Sequence, residues 1–319
     1  MIPENMDKFY INGQWVAPHS AARMGVENPA TEEIVAQVAL GDQADIDAAI
    51  AAARAAFDGW TVRPVAERIA VLRRVLEIYN ARYEEIAQVM STEMGAPIEW
   101  ARGAQAWAGQ VHIEATLKAA EAFHWEEMRG TTQIIREGIG VCALITPWNW
   151  PVMIAIWHIL PALRAGNCVV IKPSPYTPLS TLMAVDAMAE LLPAGVLNVV
   201  SSDDKLANIG AAMAAHPDIR KLVFTGSCAT GERIMATASQ TMKRLTLEMG
   251  GNDAGIVLPD CDPKAIAEGL FWGAFINNGQ TCAAMKRLYV HDAIHDAVCD
   301  ELVAFARKIP VGNGMDEAS

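Results

Sequence analysis

The stretch KLVFTGSCATGER, residues 221–233, contains a strand, a turn and the start of a helix in one short segment. Its first five residues are mostly apolar, Gly226 and Ser227 interrupt that run, and a helix-like segment follows. The N-terminus of a helix that follows a strand offers unpaired backbone N–H groups to a phosphate. This stretch therefore predicts an α/β fold with a ligand site at the carboxyl end of the strand.

Similar apolar runs occur on both sides of this stretch, with helical stretches between them. The predicted strands are VCALIT (141–146), CVVIK (168–172), VLNVV (196–200), KLVFT (221–225) and RLTLE (244–248). The predicted helices cover 152–165, 178–191, 204–215 and 229–239. Five strands that are apolar along their whole length and alternate with helices predict a parallel sheet covered on both faces.

The N-terminal part of the chain has different patterns. FYINGQWV (9–16) alternates apolar and polar residues around Asn12-Gly13, which predicts a hairpin. Apolar residues at helical spacing predict three helices, over 43–60, 69–86 and 97–123. TTQIIREGIG (131–140) breaks that pattern with β-branched residues and glycines, and it predicts a short strand or a protruding arm.

Composition excludes several classes of protein. The chain has 319 residues, 52% of them apolar, and a net charge of −12 without a basic cluster, which argues against a nucleic-acid partner. No apolar run is long enough for a membrane span, and the N-terminus does not resemble a signal peptide, so a cytoplasmic protein is expected. The six cysteines form no CxxC pair and no Cys/His ligand spacing, and several lie in apolar runs where a reduced thiol packs, so neither a metal site nor a disulfide is predicted.

Polar residues follow four of the predicted strands, at the edge where parallel sheets bind ligands. They are Thr146, Pro147, Trp148 and Asn149 after the first strand, Lys172 and Ser174 after the second, Gly226 and Ser227 after the fourth, and Glu248 at the end of the fifth. Each could be an ordinary turn residue, but four groups at one edge favour a binding site. Gly226 and Gly231 have Walker A spacing, yet Glu232 and Arg233 replace its Lys and Ser/Thr.

Five motifs occur in an order that resembles the NAD(P)-dependent aldehyde dehydrogenase superfamily. They are PWNWP (147–151), IKPS (171–174), FTGS (224–227), LEMGG (247–251) and GQTC (279–282). The resemblance covers nearly the whole chain and implies a Rossmann-like cofactor domain made of residues 1–128 and 140–249, with a five-stranded parallel sheet and N-terminal helices. It also implies an oligomerisation arm at 129–139, a partial α/β catalytic domain at 250–319, and a homodimer or homotetramer.

The resemblance further implies the oxidation of an aldehyde to a carboxylic acid, with a role for each motif. Cys282 would be the nucleophile that forms a thiohemiacetal and then a thioester, Asn149 the oxyanion donor, and Glu248 the base that activates water. The other five cysteines are expected to be buried and inert. Trp157 matches a substrate-tunnel position, and together with Trp150 it favours an apolar or aromatic aldehyde, although both would equally suit a protein core.

For the cofactor, the resemblance assigns Lys172 to the adenosine ribose and Gly226 and Ser227 to the pyrophosphate. The other cofactor contacts that it implies are Thr146, Pro147, Trp148, Ser174, Gly231 and Gly250. Many NAD-preferring members carry Glu three residues after the lysine, where this chain has Pro175. NAD is therefore the expected cofactor, with NADP left open. The loop 201–210 also departs from the glycine-rich form common in the family.

Two alternative functions remain at this point. In a CoA-acylating semialdehyde dehydrogenase, a thiol rather than water would resolve the thioester, which would make Glu248 superfluous. In the family, further segments follow the position where this sequence ends, including a Glu-x-Phe-Gly-Pro loop that binds the nicotinamide ribose. A non-catalytic cofactor-binding fragment is therefore the other alternative, with weak NAD binding, slow turnover and a tendency to aggregate expected of residues 1–319 alone.

Overall fold

The computed structural model describes residues 4–203 and 207–319, and it combines helices with a central sheet. The strands are β1 Phe9–Ile11, β2 Gln14–Val16, β3 Arg23–Asn28, β4 Glu33–Ala39, β5 Glu126–Arg129, β6 Thr132–Ile135, β7 Val141–Ile145, β8 Cys168–Lys172, β9 Leu197–Val199, β10 Ile219–Gly226, β11 Arg244–Met249, β12 Asp253–Val257 and β13 Met285–Val290. The helices are α1 Gln43–Thr61, α2 Val65–Ala81, α3 Tyr83–Met94, α4 Ile98–Trp100, α5 Trp107–Ala122, α6 Pro151–Arg164, α7 Pro178–Ala189, α8 Ile209–Ala215, α9 Cys228–Ala238, α10 Pro263–Phe275 and α11 His295–Ala306. A π-helical segment, Ala101–Ala106, joins α4 to α5.

The predicted parallel sheet is confirmed. Within the described residues, the central sheet has seven strands in the order β11-β10-β7-β8-β9-β1-β2. β7 to β11 run parallel, and the predicted N-terminal hairpin adds β1 and β2 antiparallel to β9. All residues of β7 and β8 are buried, whereas β11 lies at the sheet edge and is partly exposed. The expectation of a strand buried on both faces is therefore wrong for β11.

Local sequence explains where α1 begins, but the next helices differ from expectation. The Asp42 side chain accepts hydrogen bonds from the first turn of α1, and the Asp45 side chain accepts one from the Asp42 backbone N–H. The single helix predicted over 69–86 is in fact two, α2 and α3, which are separated at Arg82. Arg82 Nη1 lies 2.9 Å from Asp186 Oδ2 on α7. The break between α2 and α3 thus coincides with an ion pair between residues that are far apart in sequence.

Other boundaries also differ from the predictions. The hairpin of β3 and β4 lies in a stretch for which no element was predicted, and the helix predicted over 97–123 contains the π-helical segment. The predicted arm forms a hairpin of two strands, β5 and β6, where a single short strand was predicted. α8 begins at Ile209 because the Asn208 side chain caps it, while residues 204–206 of the predicted helix lie outside the described residues.

The segment after Met249 forms a smaller α/β unit. β12 and β13 pair in parallel, and α10 packs against α11. Several large apolar side chains of this segment are exposed, among them Ile256, Phe275 and Val303. Among the described residues, no helix has the length and apolar character needed to cross a membrane. The domain and arm boundaries expected from the resemblance stay predictions.

A buried carboxylate fixes the start of α7, the helix that follows the Lys172 loop. Glu93 on α3 accepts hydrogen bonds from Leu179 N at 2.7 Å, Ser180 N at 2.8 Å and the Ser180 hydroxyl. Burial raises the pKa of Glu93 to about 7, against the opposing effect of these hydrogen bonds. The carboxyl group therefore replaces the missing cap at this helix N-terminus.

This environment predicts a pH dependence of stability. The pKa of Glu93 is about 7 in the folded protein, against about 4.3 for a glutamate in the unfolded chain. Its contribution to the free energy of unfolding is therefore fully present below about pH 4.3 and is lost as the pH rises through about 7. From about pH 5.5 to about pH 8, the free energy of unfolding of the wild type should fall by about 2 kcal/mol relative to that of Glu93→Gln. Urea unfolding at both pH values measures this difference, with Glu99→Gln on the exposed face as the control. Equal pH profiles for wild type and Glu93→Gln would contradict the assignment.

Candidate active site

Two loops that are far apart in sequence are joined by side-chain hydrogen bonds. Asn149, in the loop after β7, donates from Nδ2 to the backbone oxygen of Gln280 at 2.7 Å. The next residue, Trp150, donates from its indole Nε1 to Thr281 Oγ1 at 3.2 Å. The predicted oxyanion donor is thus bonded two residues before Cys282, the predicted nucleophile.

The segment that carries Glu248 approaches the same loop. Glu248 is exposed near the end of β11, beside Thr225 of β10 in the sheet register. Three residues further on, a Cβ built on Gly251 would lie 3.2 Å from the Cys282 carbonyl oxygen. This close approach brings the LEMGG and GQTC motifs into contact, and a larger residue than glycine at 251 would push against the Cys282 backbone.

The turn around Cys282 is held by its own neighbours. Lys286 Nζ donates to the backbone oxygens of Thr281 at 3.2 Å, Cys282 at 2.7 Å and Ala284 at 2.9 Å. Before the turn, Asn277 and Asn278 adopt left-handed backbone conformations with φ of 55° and 56°, which are sparsely populated by residues other than glycine. Cys282 itself is exposed.

The expectation that the other five cysteines are buried holds for only two of them. Cys142 and Cys168 are buried in the central sheet, where desolvation raises the pKa of each thiol to about 12. Cys228 and Cys299 are exposed and Cys261 is half-buried, so the expectation is wrong for these three. The error has a physical cause: all three lie in or next to surface helices and turns, where a cysteine in the sequence gives no sign of which way it points.

At the carboxyl edge of β7 and β8, several predicted cofactor residues lie together. Thr146 N donates to Lys172 O at 3.1 Å, and both side chains are buried. Thr146 Oγ1 is buried without a hydrogen-bond partner among the residues that the structure describes. Ser174 Oγ accepts from Tyr176 N at 3.3 Å. Pro147 and Trp148 remain partly exposed beside this edge.

The glycine turn after β10 forms the start of α9. Ser227 caps the helix by accepting from Thr230 N at 3.3 Å. Gly231 is buried where α9 faces β11. A side chain at this position would place its Cβ 2.5 Å from Met249 Sδ, so glycine allows α9 to pack closely on β11. Gly250 lies in open space, with no heavy atom of the described residues within 4 Å of a built Cβ. Ser227 and the first residues of α9 are exposed, so an anion can approach the backbone N–H groups at this helix N-terminus.

The two predicted substrate tryptophans differ in their surroundings. Trp157 on α6 is 44% exposed and stacks on His112 of α5, with ring centroids 5.3 Å apart. Trp150 is half-buried and meets Trp100 edge-on at 6.3 Å, in addition to its bond to Thr281. Beneath this surface, burial lowers the pKa of His158 to about 4, and the ring lies 3.2 Å from Thr225 Oγ1.

Sequence reasoning missed two buried polar residues at this site, Gln105 and Asn277. Gln105 is fully buried, and its Nε2 donates to Asn149 O and Asn277 Oδ1, each at 3.0 Å. Asn277 Nδ2 donates to Asn149 O at 3.0 Å and Gln280 O at 3.3 Å. One signal was present: Gln105 lies in an alanine-rich helical pattern, ARGAQAWAG (101–109), and glutamine is unusual at a core position.

Comparison with known proteins places this arrangement in a family. The model of the aldehyde dehydrogenase family matches residues 15–319. Among curated proteins, the 3-succinoylsemialdehyde-pyridine dehydrogenase of a Pseudomonas species is 39% identical over 97% of this chain and 65% of its own length. The phenylacetaldehyde dehydrogenase of Pseudomonas fluorescens is 37% identical over 96% of this chain and 63% of its own length.

A solved structure is similar over the whole chain. Aldehyde dehydrogenase C of Pseudomonas syringae, crystallised as a cysteine-to-alanine variant with NAD+ and octanal, gives a TM-score of 0.97 at 40% identity. The match covers 100% of this chain and 66% of that chain. The present chain thus spans about 65% of the length of the curated relatives that it matches.

Proposed function

The chain belongs to the aldehyde dehydrogenase family, and on that premise we propose that its site oxidises an aldehyde to a carboxylic acid with NAD. The proposal rests mainly on the hydrogen bond from Asn149 Nδ2 to Gln280 O. This bond joins the loop after β7, which contains Asn149, to the loop that contains Cys282. Cys282 is exposed at that junction, unlike the two cysteines buried in the sheet.

In the first step, the Cys282 sulfur attacks the aldehyde carbon and the carbonyl oxygen becomes an alkoxide. Thiolates are strong nucleophiles, so cysteine suits this step. The Asn149 amide has two N–H donors, of which Gln280 O takes one. We assign the other, together with the Cys282 backbone N–H, to the alkoxide. A donor of this kind contributes about 3 kcal/mol to the stabilisation of a transition state.

The substrate carbon then loses a hydride, which bound NAD+ would accept, the alkoxide becomes a carbonyl, and the resulting thioester on Cys282 must be hydrolysed. Glu248 is the exposed carboxylate near the end of β11, on the segment that contacts the Cys282 loop through Gly251. We assign it the role of general base: it takes a proton from water, the hydroxyl attacks the thioester carbonyl, and the Cys282 thiolate leaves. A base for water argues against a CoA-acylating reaction, in which a thiol would replace water.

The residues at the sheet edge fit a dinucleotide. The Thr146 hydroxyl, which has no hydrogen-bond partner within residues 4–203 and 207–319, lies at the carboxyl end of β7, and the N-terminus of α9 is exposed after Gly226 and Ser227. We assign Lys172 to the adenosine ribose, Gly226 and Ser227 to the pyrophosphate turn, and Thr146, Pro147, Trp148, Ser174, Gly231 and Gly250 to the remaining contacts. When bound, NAD+ would supply the hydride acceptor for the oxidation.

The exposed aromatic surface favours an apolar or aromatic substrate. Trp157 stacked on His112 presents a flat apolar wall on α5 and α6, and Trp150 lies beside the cysteine loop. The names of the relatives include phenylacetaldehyde, and the similar solved structure contains octanal.

We further propose that the β5–β6 hairpin, with Met128 and Ile135 exposed, contributes to a homo-oligomer.

The general base can be tested by the shape of the time course. Glu248→Gln should form the thioester at nearly the wild-type rate but fail to hydrolyse it, because the amide cannot take the proton. Stopped-flow absorbance should show a burst of NADH near one equivalent and then a rate at least about 100-fold below the wild type. Cys282→Ala is the control and should show no burst. Unchanged steady-state turnover of Glu248→Gln would exclude it as the base, and restoration by CoA would favour the acylating reaction.

The cofactor preference can be tested at Pro175. Proline can neither accept hydrogen bonds from the ribose hydroxyls nor repel a 2′-phosphate. Installing a carboxylate through Pro175→Glu should raise the ratio of kcat/KM for NAD to that for NADP by about tenfold or more. Pro175→Gln is the matched control, since it has the same length without the charge. If Glu and Gln give the same ratio as the wild type, the ribose is recognised elsewhere.

A further inference from the structure

The side chain of Gln105 reaches the candidate active site from a different part of the fold. It belongs to the π-helical segment between α4 and α5, well before the motifs that bind cofactor and substrate. Its Nε2 lies 3.0 Å from Asn149 O and 3.0 Å from Asn277 Oδ1. One amide group thus contacts both the loop that contains Asn149 and the segment before Cys282 that contains Asn277.

The π-helical segment that carries Gln105 is itself held firmly. Tyr83 donates from its hydroxyl to Arg102 O at 2.6 Å, and Tyr79 donates to Ala106 O at 2.8 Å. Gly109 allows the second of these bonds, because a Cβ there would lie 2.3 Å from the Tyr79 hydroxyl. π-Helical turns are rare and occur frequently at functional sites. Bonds near both ends of the segment therefore fix the backbone from which Gln105 projects.

Packing alone does not account for a glutamine at this position. The side chain is fully buried, and its Oε1 has no hydrogen-bond partner among the described residues. Burying an unpaired amide oxygen is costly, and leucine or methionine would fill the same space without that cost. An apolar residue could not supply the amide donors of Gln105: its Nε2 donates to Asn149 O and Asn277 Oδ1, each at 3.0 Å, and also lies 3.4 Å from Met94 Sδ.

The contacts around Gln105 form one connected set. Asn149 O accepts from Gln105 and from Asn277, while Gln280 O accepts from the side chains of Asn149 and Asn277. Asn277 also adopts a left-handed backbone conformation, which asparagine tolerates better than other non-glycine residues, and its side chain is bonded to Gln105, Asn149 and Gln280. Release of Gln105 would leave Asn277 Oδ1 without this donor and loosen the backbone of Asn149.

We propose that Gln105 is a positioning residue: its amide holds Asn149 and Asn277 together and thereby sets the place of the Asn149 side chain relative to Cys282. The inference rests on the proposed function, in which Asn149 stabilises an alkoxide formed at Cys282. Loss of Gln105 should then harm reactions of Cys282 that pass through an oxyanion and spare those that do not.

Two reagents separate these cases. p-Nitrophenyl acetate acylates Cys282 through an oxyanion: a bond forms between sulfur and the acetyl carbon, and p-nitrophenolate leaves. Iodoacetamide alkylates the same sulfur by displacing iodide, without an oxyanion. In Gln105→Met, acylation should fall between about 10- and 100-fold, while alkylation should stay within about threefold of the wild type. Gln105→Leu, which also lacks the two donors, should show the same pattern.

The controls test whether the effect passes through Asn149. Gln110→Met, on the adjoining helix α5 and bonded to Glu114 at the surface, should leave both rates unchanged. In an Asn149→Ala background, Gln105→Met should cause little further loss of acylation, because residues that act through one another are not additive. Equal losses of acylation and alkylation, no loss at all, or full additivity with Asn149→Ala would each overturn the inference.

Hydrogen exchange keeps the test independent of activity. The peptide covering 276–284 should exchange faster in Gln105→Met than in the wild type or Gln110→Met. If the wild type shows no acylation that depends on Cys282, the proposed function fails, yet faster exchange in Gln105→Met would still support the positioning contact. Unchanged exchange would overturn the contact whether or not the protein turns over aldehyde.

Discussion

The position of the loops at the candidate active site depends on β7, the strand at the centre of the parallel sheet. β7 is hydrogen-bonded to β10 on one side and to β8 on the other, and all its residues are buried. Parallel strands gather their carboxyl ends at one edge. The residues that follow β7 are therefore carried to the same edge as Lys172 and the glycine turn after β10, although these are far apart in sequence.

Polar groups then make the contacts that an apolar core could not. The amides of Gln105, Asn149 and Asn277 connect the loop after β7 with the loop before Cys282. Connected buried hydrogen bonds specify geometry more strictly than apolar packing, because each unmade bond is costly. Lys286 adds a cation on the far side of the cysteine, bonded to three backbone oxygens. The Cys282 turn is thus held from both ends.

The parallel sheet could be predicted because its strands are short, apolar and separated by helices. The break at Arg82 could not, since the apolar period continues through it and the ion pair with Asp186 comes from another helix. The motifs indicated which loops meet, whereas Gln105 was missed because its role depends on contacts with residues 149 and 277. Exposure of Cys228 and Cys299 was likewise decided by the fold and not by local composition.

The central claim is that an aldehyde is oxidised while it is covalently attached to Cys282. Mass spectrometry of the wild-type chain, mixed with octanal or phenylacetaldehyde and NAD and quenched in acid within the first turnover, tests it most directly. The account predicts that the peptide containing Cys282 gains the mass of the acyl group in place of the thiol hydrogen. An acyl adduct on another cysteine, or NADH formed without any adduct, would contradict it.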